Sequence, residues 1–218
     1  KLSEEEKEEL MDDIQEKSEE VMTEIAKETE KTIIYKIKIS ENSIEYQTKG
    51  EVPGKTLNQF SMDEYNDNLR IATTTGEIWQ GNSINHVYVL DKDLNIIGKL
   101  EDLARTEKIY SVRFIDDRAY MVTFKKIDPL FVIDLSDPQN PKVLGELKIP
   151  GYSDYLHPYD ENHIIGIGKE AVDADMDEVE ARDLDFAWYQ GIKISLFDVS
   201  DVNNPIEVSK FNIGDRGT

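Results

Sequence analysis

The stretch Asp134-Leu135-Ser136-Asp137-Pro138-Gln139-Asn140-Pro141 returns later in the chain as Asp198-Val199-Ser200-Asp201-Val202-Asn203-Asn204-Pro205. Each copy follows a strand-like apolar run and precedes an alternating run, and these runs are residues 130–133, 142–149, 194–197 and 206–213. A β-hairpin pattern that occurs twice in the sequence indicates a structural module, and a recurring module indicates a repeat fold. The repeat therefore decides the architecture and leaves the activity open.

Three units of this kind follow one another, at residues 58–100, 109–149 and 152–213. Each unit holds four strand-like runs, the first unit beginning with Phe60-Ser61-Met62, and four short strands over about 40 to 45 residues make one propeller blade. We therefore predict an all-β fold, a partial β-propeller of about three four-stranded antiparallel blades. Because a closed ring usually needs four blades or more, we expect open strand edges that could pair with a second copy.

The chain before these units divides near residue 30. Ser3 and Glu6 fit a capping box, and an apolar stripe follows at Leu10, Ile14, Val21 and Ile25. Residues 1–30 are therefore predicted to form an amphipathic helix, which packs on its own domain or adjoining sequence, or pairs with a partner. Residues 31–218 are predicted to form the propeller portion, and they open with a period-2 hairpin over residues 32–49.

The composition excludes several classes of function. The 46 acidic and 25 basic residues give a net charge of −21, which repels nucleic-acid phosphates and anionic lipid headgroups. The absence of cysteine excludes disulfides, thiolate metal sites and a cysteine nucleophile. No run approaches the roughly 18 to 20 apolar residues of a membrane span. The abrupt ends suggest a fragment of a longer protein, so the lack of a visible signal peptide carries little weight.

Five stretches of the chain carry a resemblance to a known family. The most specific is Thr123-Phe124 followed by Asp128-Pro129-Leu130-Phe131-Val132-Ile133-Asp134-Leu135-Ser136-Asp137-Pro138, and the others are residues 57–65, 69–74, 111–120 and 156–163. Together they resemble a prokaryotic family of secreted proteins that contain a C-terminal β-propeller domain. The resemblance implies a secreted or cell-surface protein and a larger propeller of which this chain is a part. The resemblance supplies no catalytic residues that could be assigned to positions in this chain.

The third unit contains a long acidic segment at residues 170–189, and long loops in compact domains are commonly functional or disordered. Aspartates spaced two residues apart can turn their carboxylates toward one hard cation, as at the start of a calcium loop. The candidate metal ligands are Asp173, Asp175, Asp177, Asp183 and Asp185. Glu178 and Leu184 replace the glycine and glutamate of a full EF-hand loop, so a solvated acidic loop or short helix stays open beside calcium.

Other residues have both a chemical and a structural interpretation. His157 and His163 flank Asp160 and could bind zinc, but they belong to adjacent strands, so structural roles are favoured. Asp134 and Ser136 recur once per unit, which favours hydrogen bonds to the turn backbone over catalysis.

Three aromatic residues are candidates for a binding face, with core or inter-blade packing as the alternative, and they are Trp79, Trp188 and Tyr189. The sequence favours a non-enzymatic extracellular or cell-surface module that binds or scaffolds protein or carbohydrate. Two alternatives stay open. One is a hydrolase or lyase that uses carboxylates of the complete propeller. The other is a structural cell-envelope component that assembles through its helix and sheet edges.

The calcium hypothesis predicts a metal-dependent thermal stability. If the acidic segment binds calcium, millimolar calcium should raise the melting temperature by several degrees over the value in EDTA, because a ligand that binds the folded state stabilises it. Thermal melts with light scattering for mass test this expectation. Identical melts in both buffers would reduce the segment to a solvated insertion.

Overall fold

The computed structural model describes residues 3–124, 127–173 and 187–215, and within them it contains one α-helix and fourteen β-strands. Helix α1 spans Glu4–Thr29. The strands are β1 (Lys31–Ser40), β2 (Ser43–Pro53), β3 (Met62–Tyr65), β4 (Asn68–Thr75), β5 (Ile84–Leu90), β6 (Ile96–Leu103), β7 (Lys108–Ile115), β8 (Arg118–Phe124), β9 (Ile127–Asp134), β10 (Lys142–Pro150), β11 (Tyr152–Pro158), β12 (His163–Asp173), β13 (Ala187–Asp198) and β14 (Ile206–Ile213).

The predicted capping box begins α1. The Ser3 hydroxyl accepts a hydrogen bond from the Glu6 amide at 3.2 Å, and the Ser3 amide donates to the Glu6 carboxylate at 2.6 Å. Near the other end of the helix, Thr23 and Ala26 are buried against the sheets. The apolar stripe is about half exposed along its length, at Leu10, Ile14, Val21 and Ile25. The described sheets therefore do not cover this stripe, and its packing on adjoining sequence or on a partner stays a prediction.

The strands of the described chain pair into one two-stranded sheet, β1–β2, and three four-stranded antiparallel sheets. We call the four-stranded sheets blade 1 (β3–β6), blade 2 (β7–β10) and blade 3 (β11–β14), and each is ordered as in the sequence. The first strands of blades 2 and 3 contact each other, and every fourth strand leads into the first strand of the next blade. This radial arrangement confirms the predicted fold class.

The hydrophobic core lies between the sheets rather than within any of them. All seven residues of β5 are buried, because this strand has a neighbouring sheet on each face. One cluster joins β1–β2 to blade 1, a second joins blade 1 to blade 2, and a third joins blade 2 to blade 3. Their most deeply buried side chains include Val52, Tyr88, Val87, Met121, Leu130, Leu156 and Phe197. Each sheet therefore depends on its neighbours for stability.

The repeated aspartates close the turns between the third and fourth strands, as predicted. Asp134 Oδ1 accepts a hydrogen bond from the Ser136 amide at 2.9 Å, and Asp198 Oδ1 accepts one from the Ser200 amide at 2.9 Å. In blade 1, Asp91 Oδ1 accepts from two backbone amides. These local bonds satisfy the turn backbone and favour the ionised carboxylate, so the pKa values of the three aspartates are lowered.

The same turns pack against a glycine of the preceding sheet. The turn of blade 2 contacts Gly98 on β6, where an added Cβ would overlap the Pro138 carbonyl oxygen. The turn of blade 3 contacts Gly145 on β10, where an added Cβ would lie 2.5 Å from the Val202 carbonyl oxygen. By register with the third strand, Ser209 occupies the equivalent position on β14. Glycine at the first two positions therefore permits the close approach of adjacent blades.

One local expectation is wrong. The run Phe60-Ser61-Met62 is not a continuous strand, because residues 59–61 form a 3₁₀ turn and β3 begins at Met62. The Asn58 side chain accepts a hydrogen bond from the Phe60 amide at 2.9 Å, and this cap bends the chain before it enters the sheet.

The glycine contacts predict a strong and local effect of one added methyl group. Gly145→Ala should lower the free energy of unfolding by about 1–3 kcal/mol, because the methyl group would force the turn of blade 3 away from β10. Ser209→Ala, at the equivalent exposed position of blade 3, is the matched control and should change stability by less than about 0.5 kcal/mol. Urea denaturation measures both, and equal stability of the two variants would contradict the packing argument.

Candidate functional site

The two ends of the blades carry different connections. At one end lie the turn that joins the first strand to the second and the turn that joins the third strand to the fourth. At the other end lie the connections from second to third strand, together with the links to the next blade, and we call this end the connection face. In blade 1 the connection is residues 76–83. In blade 3 it is residues 174–186, which lie outside the described residues.

The connection of blade 1 projects Trp79 into solvent. Residues 78–80 form a short 3₁₀ turn that Gly81 ends in the left-handed conformation, with φ of 70°. The Asn82 side chain accepts a hydrogen bond from the Glu77 amide at 2.9 Å and closes the loop from within. The indole is 79% exposed. An indole held in water by an ordered loop contributes little to folding, so its placement favours a contact with another molecule.

Trp79 forms one wall of a cavity of about 380 Å³, which lies within the usual range for small-ligand sites. The cavity combines apolar and polar groups. Its lining consists of Lys55, Thr56, Leu57, Thr74, Gly76, Glu77, Ile78, Trp79, Ser83, Lys108 and Ile109. We call it the Trp79 cavity.

The polar groups of the Trp79 cavity differ in whether they have hydrogen-bond or ion-pair partners. Lys55 Nζ lies 3.2 Å from the Glu77 carboxylate and 3.3 Å from that of Glu30, and these partners raise the pKa of Lys55. Ser83 is 2% exposed, and its hydroxyl has no hydrogen-bond partner among the described residues. A buried hydroxyl without a partner is costly, so it favours a missing partner such as a water molecule or a ligand.

The other predicted binding aromatics lie toward the same face. The backbones of Trp188 and Tyr189 belong to β13, near its start, where they pair with Val172 and Ala171 of β12. Blade 3 therefore carries them beside its connection, as blade 1 carries Trp79. The sequence identified these positions, but it did not identify Ser83, whose hydroxyl resembles any other in the sequence.

Most of the candidate calcium ligands lie outside the part of the chain that the structure describes. Asp173 is the last residue of β12 and pairs with Ala187 through the backbone. The remaining candidates lie outside the described residues, and they are Asp175, Asp177, Asp183 and Asp185. Within the described ranges, no group of three or more histidine, aspartate or glutamate side chains is arranged to hold a metal ion. Calcium binding stays a prediction.

An aromatic and guanidinium stack lies where the first strands converge, and the sequence did not predict it. The Arg113 guanidinium lies 4.2 Å from the ring centroid of Phe60 and 5.2 Å from that of Tyr155. Its Nε donates a hydrogen bond to the Leu156 carbonyl at 3.0 Å. Arg113 thus joins blade 2 to blade 3 and to the segment before blade 1, at a cation–π geometry.

The histidines have separate structural partners. His163 Nδ1 lies 2.9 Å from Asp160, while His157 Nδ1 lies 3.1 Å from the Tyr155 hydroxyl. His86 is fully buried, where its Nε2 lies 2.9 Å from the Thr75 hydroxyl and its Nδ1 accepts from the Asp102 amide at 3.5 Å. These contacts support the structural interpretation of the histidines over a shared zinc site.

Blades of four antiparallel strands, stacked around converging first strands, define the chain as a β-propeller protein. Residues 11–218 match the family described as "Beta propeller domain", and the chain belongs to this family. That the family is secreted, and that the domain is C-terminal, stay predictions. No helix in the described part of the chain is long and apolar enough to cross a membrane.

Two archaeal proteins are similar to this chain. An uncharacterized protein of Methanocaldococcus jannaschii is 52% identical over 166 residues, which are 75% of this chain and 24% of that protein. An uncharacterized protein of Archaeoglobus fulgidus is 45% identical over 160 residues, which are 73% of this chain and 22% of that protein. The matched part of this chain therefore spans less than a quarter of the length of either relative.

The buried His86 predicts a pH-dependent stability. Burial, and then the positive charge of Lys27, lower the pKa of His86 from 6.5 to about 4. Because the unfolded state binds the proton more readily, stability is full above pH 6.5 and falls as the pH is lowered from 6.5 to about 4. The loss is on the order of 3 kcal/mol.

His86→Gln should flatten the dependence of unfolding free energy on pH in this window, relative to the unsubstituted chain. Denaturation at a series of pH values measures this dependence, and parallel curves for His86→Gln and the unsubstituted chain would show that His86 does not titrate on unfolding.

Proposed function

We propose that this chain is a non-enzymatic binding module of a secreted or cell-surface protein, and that it takes its ligand in the Trp79 cavity. One observation carries the proposal: an indole that is 79% exposed shares a cavity with a buried serine hydroxyl that has no partner among the described residues. Indole and hydroxyl together offer a flat apolar surface and a point of hydrogen bonding, which a ligand can satisfy together.

The chemistry of the cavity favours a neutral carbohydrate. A sugar ring has an apolar face that can lie on an indole, and its hydroxyl groups can bond to Ser83, whereas the Thr74 hydroxyl already donates to the Asn85 side chain. Lys55 is already paired with Glu77 and Glu30. The net charge of −21 disfavours an anionic ligand. A neutral sugar therefore meets the polar and apolar groups of the cavity without an electrostatic penalty.

The alternatives receive less support. A hydrolase or lyase would use a cluster of carboxylates with perturbed pKa values near the axis. There the described residues place the stack of Arg113, Phe60 and Tyr155, which is suited to packing and to binding. A location outside the cell rests on the resemblance to secreted proteins. The whole protein's ligands can include others, because the relatives are more than four times as long as their match to this chain.

The proposal predicts that Trp79→Ala weakens the binding of neutral glycans at least tenfold, a change of about 1.4 kcal/mol, because the apolar platform is lost. A neutral oligosaccharide array identifies the glycans bound, and titration calorimetry measures their affinity. The matched control is Tyr159→Ala, which removes an exposed aromatic residue from the opposite end of the blades. The control should bind as the unsubstituted chain does.

Ser83→Ala separates a ligand contact from a structural role. If the Ser83 hydroxyl contacts the ligand and does not stabilise the fold, this variant should melt at the same temperature or slightly higher, yet bind the glycan more weakly. A clear fall in melting temperature would assign the hydroxyl to folding. Equal glycan affinity in Trp79→Ala and Tyr159→Ala, or no neutral glycan bound by the unsubstituted chain, would refute the proposed site.

A further inference from the structure

The β1–β2 hairpin is built like the outer half of a blade. In each blade the fourth strand carries an extra residue close to the turn that joins it to the third strand, and these extra residues are Ile97, Leu144 and Val208. The hairpin has the same irregularity, since Ile37 pairs with Tyr46 and Lys36 pairs with Thr48, which leaves Gln47 extra on β2. Four residue pairs separate this extra residue from the hairpin turn, against two in blades 2 and 3, so the irregularity is of the same kind at a different distance from the turn.

The hairpin also packs like the outer half of a blade. The third-to-fourth strand turn of blade 1 lies on it, and an added Cβ at Gly50 would come within 2.5 Å of the Leu94 carbonyl oxygen. Gly98 and Gly145 make a contact of the same kind with the next blade, although each directly follows its extra residue and Gly50 lies three residues after Gln47. Strand β2 then leads into β3, just as β6 leads into β7. By contact and connection, β1 and β2 occupy the third and fourth strand positions of a blade.

The inner half of this blade is missing from the described residues. The other third strands, β5, β9 and β13, each pair on both edges, whereas β1 pairs only with β2 in the part of the chain described. A cavity of about 700 Å³ lies between β1 and blade 1, and Ile34, Met62 and Asn66 are among the residues that line it. The cavity therefore lies at the position of the two absent strands.

The exposure of the Met62 side chain also indicates that the inner half of this blade is missing from the described residues. By strand register, Met62 on β3 corresponds to Val112 on β7, since they pair with Ile71 and Met121. Val112, which faces blade 1, is 3% exposed, whereas Met62 is 41% exposed. Blade 1 covers the first strand of blade 2, but no corresponding sheet among the described residues covers the first strand of blade 1.

We propose that two further strands of a longer polypeptide pair antiparallel with the free edge of β1, fill this cavity and complete a blade. The relatives supply the length for them, because more than three quarters of each lies outside the match. A second copy of the chain is a poorer occupant. Within its described residues, the comparable unpaired element is the same β1–β2 hairpin, which would supply another outer half. Strand addition at an edge gives the backbone hydrogen bonds that β1 lacks on this side.

The test uses an introduced thiol, since the sequence contains no cysteine. Met62→Cys is labelled with a maleimide in the 218-residue chain and in the complete gene product that carries it, and peptide mass spectrometry reads the labelling rate at that site. We expect a rate at least tenfold lower in the complete product. Val143→Cys is the control, because Val143 is 36% exposed and lies on β10 of blade 2, which supplies no residue to the lining of the cavity. Its labelling rate should be the same in both.

Hydrogen exchange of the unsubstituted proteins keeps the test valid if Met62→Cys does not fold. The amides of β1 should exchange more slowly in the complete gene product than in the 218-residue chain. Equal labelling at Met62→Cys and equal exchange of β1 in the two proteins would overturn the proposal. Slow labelling in the 218-residue chain together with a doubled mass by light scattering would overturn it in favour of a second copy.

Discussion

Blades 1 and 2 of this protein each depend on a neighbouring sheet at both of their faces. Backbone hydrogen bonds satisfy the strands within a blade, but they do not hold one blade to the next. The side chains do so, in clusters such as that of Tyr88 with Val52 and that of Leu130 with Phe197. Because burial of apolar surface is the main favourable term in folding, a blade taken alone would expose two apolar faces. The stack is therefore the stable unit, and each blade is a part of it.

This constraint acts differently at the two ends of the blades. At the end that carries the repeated aspartates, each turn must satisfy its own backbone and also lie against a glycine of the preceding sheet. Asp134 and Gly98 illustrate the two requirements, which leave little freedom of sequence. At the connection face the segments that join the second strand to the third differ in length from one blade to the next. The exposed Trp79 belongs to this less constrained end, which explains how one fold can present different binding surfaces.

Much of the fold could be predicted from the sequence because the signals are local. The cap of α1 depends on residues three positions apart, and the turn at Asp134 depends on a hydrogen bond two residues along. The stack of Arg113 with Phe60 and Tyr155 could not be predicted, since it joins distant segments whose residues carry no pattern that links them. The exposure of Trp79 was predicted as one of two possibilities. The neighbouring buried Ser83 was not, because solvation of a hydroxyl depends on the completed tertiary structure.

Serine at position 209 affects how another sheet could pack against blade 3. Gly98 and Gly145 allow the turn of the next blade to approach the backbone, and this approach helps to set the angle between successive sheets. A side chain at the third position denies the same approach to whatever stacks against β14. The glycine contact between blades is therefore specific to β6 and β10, and position 209 distinguishes blade 3 from the two blades before it.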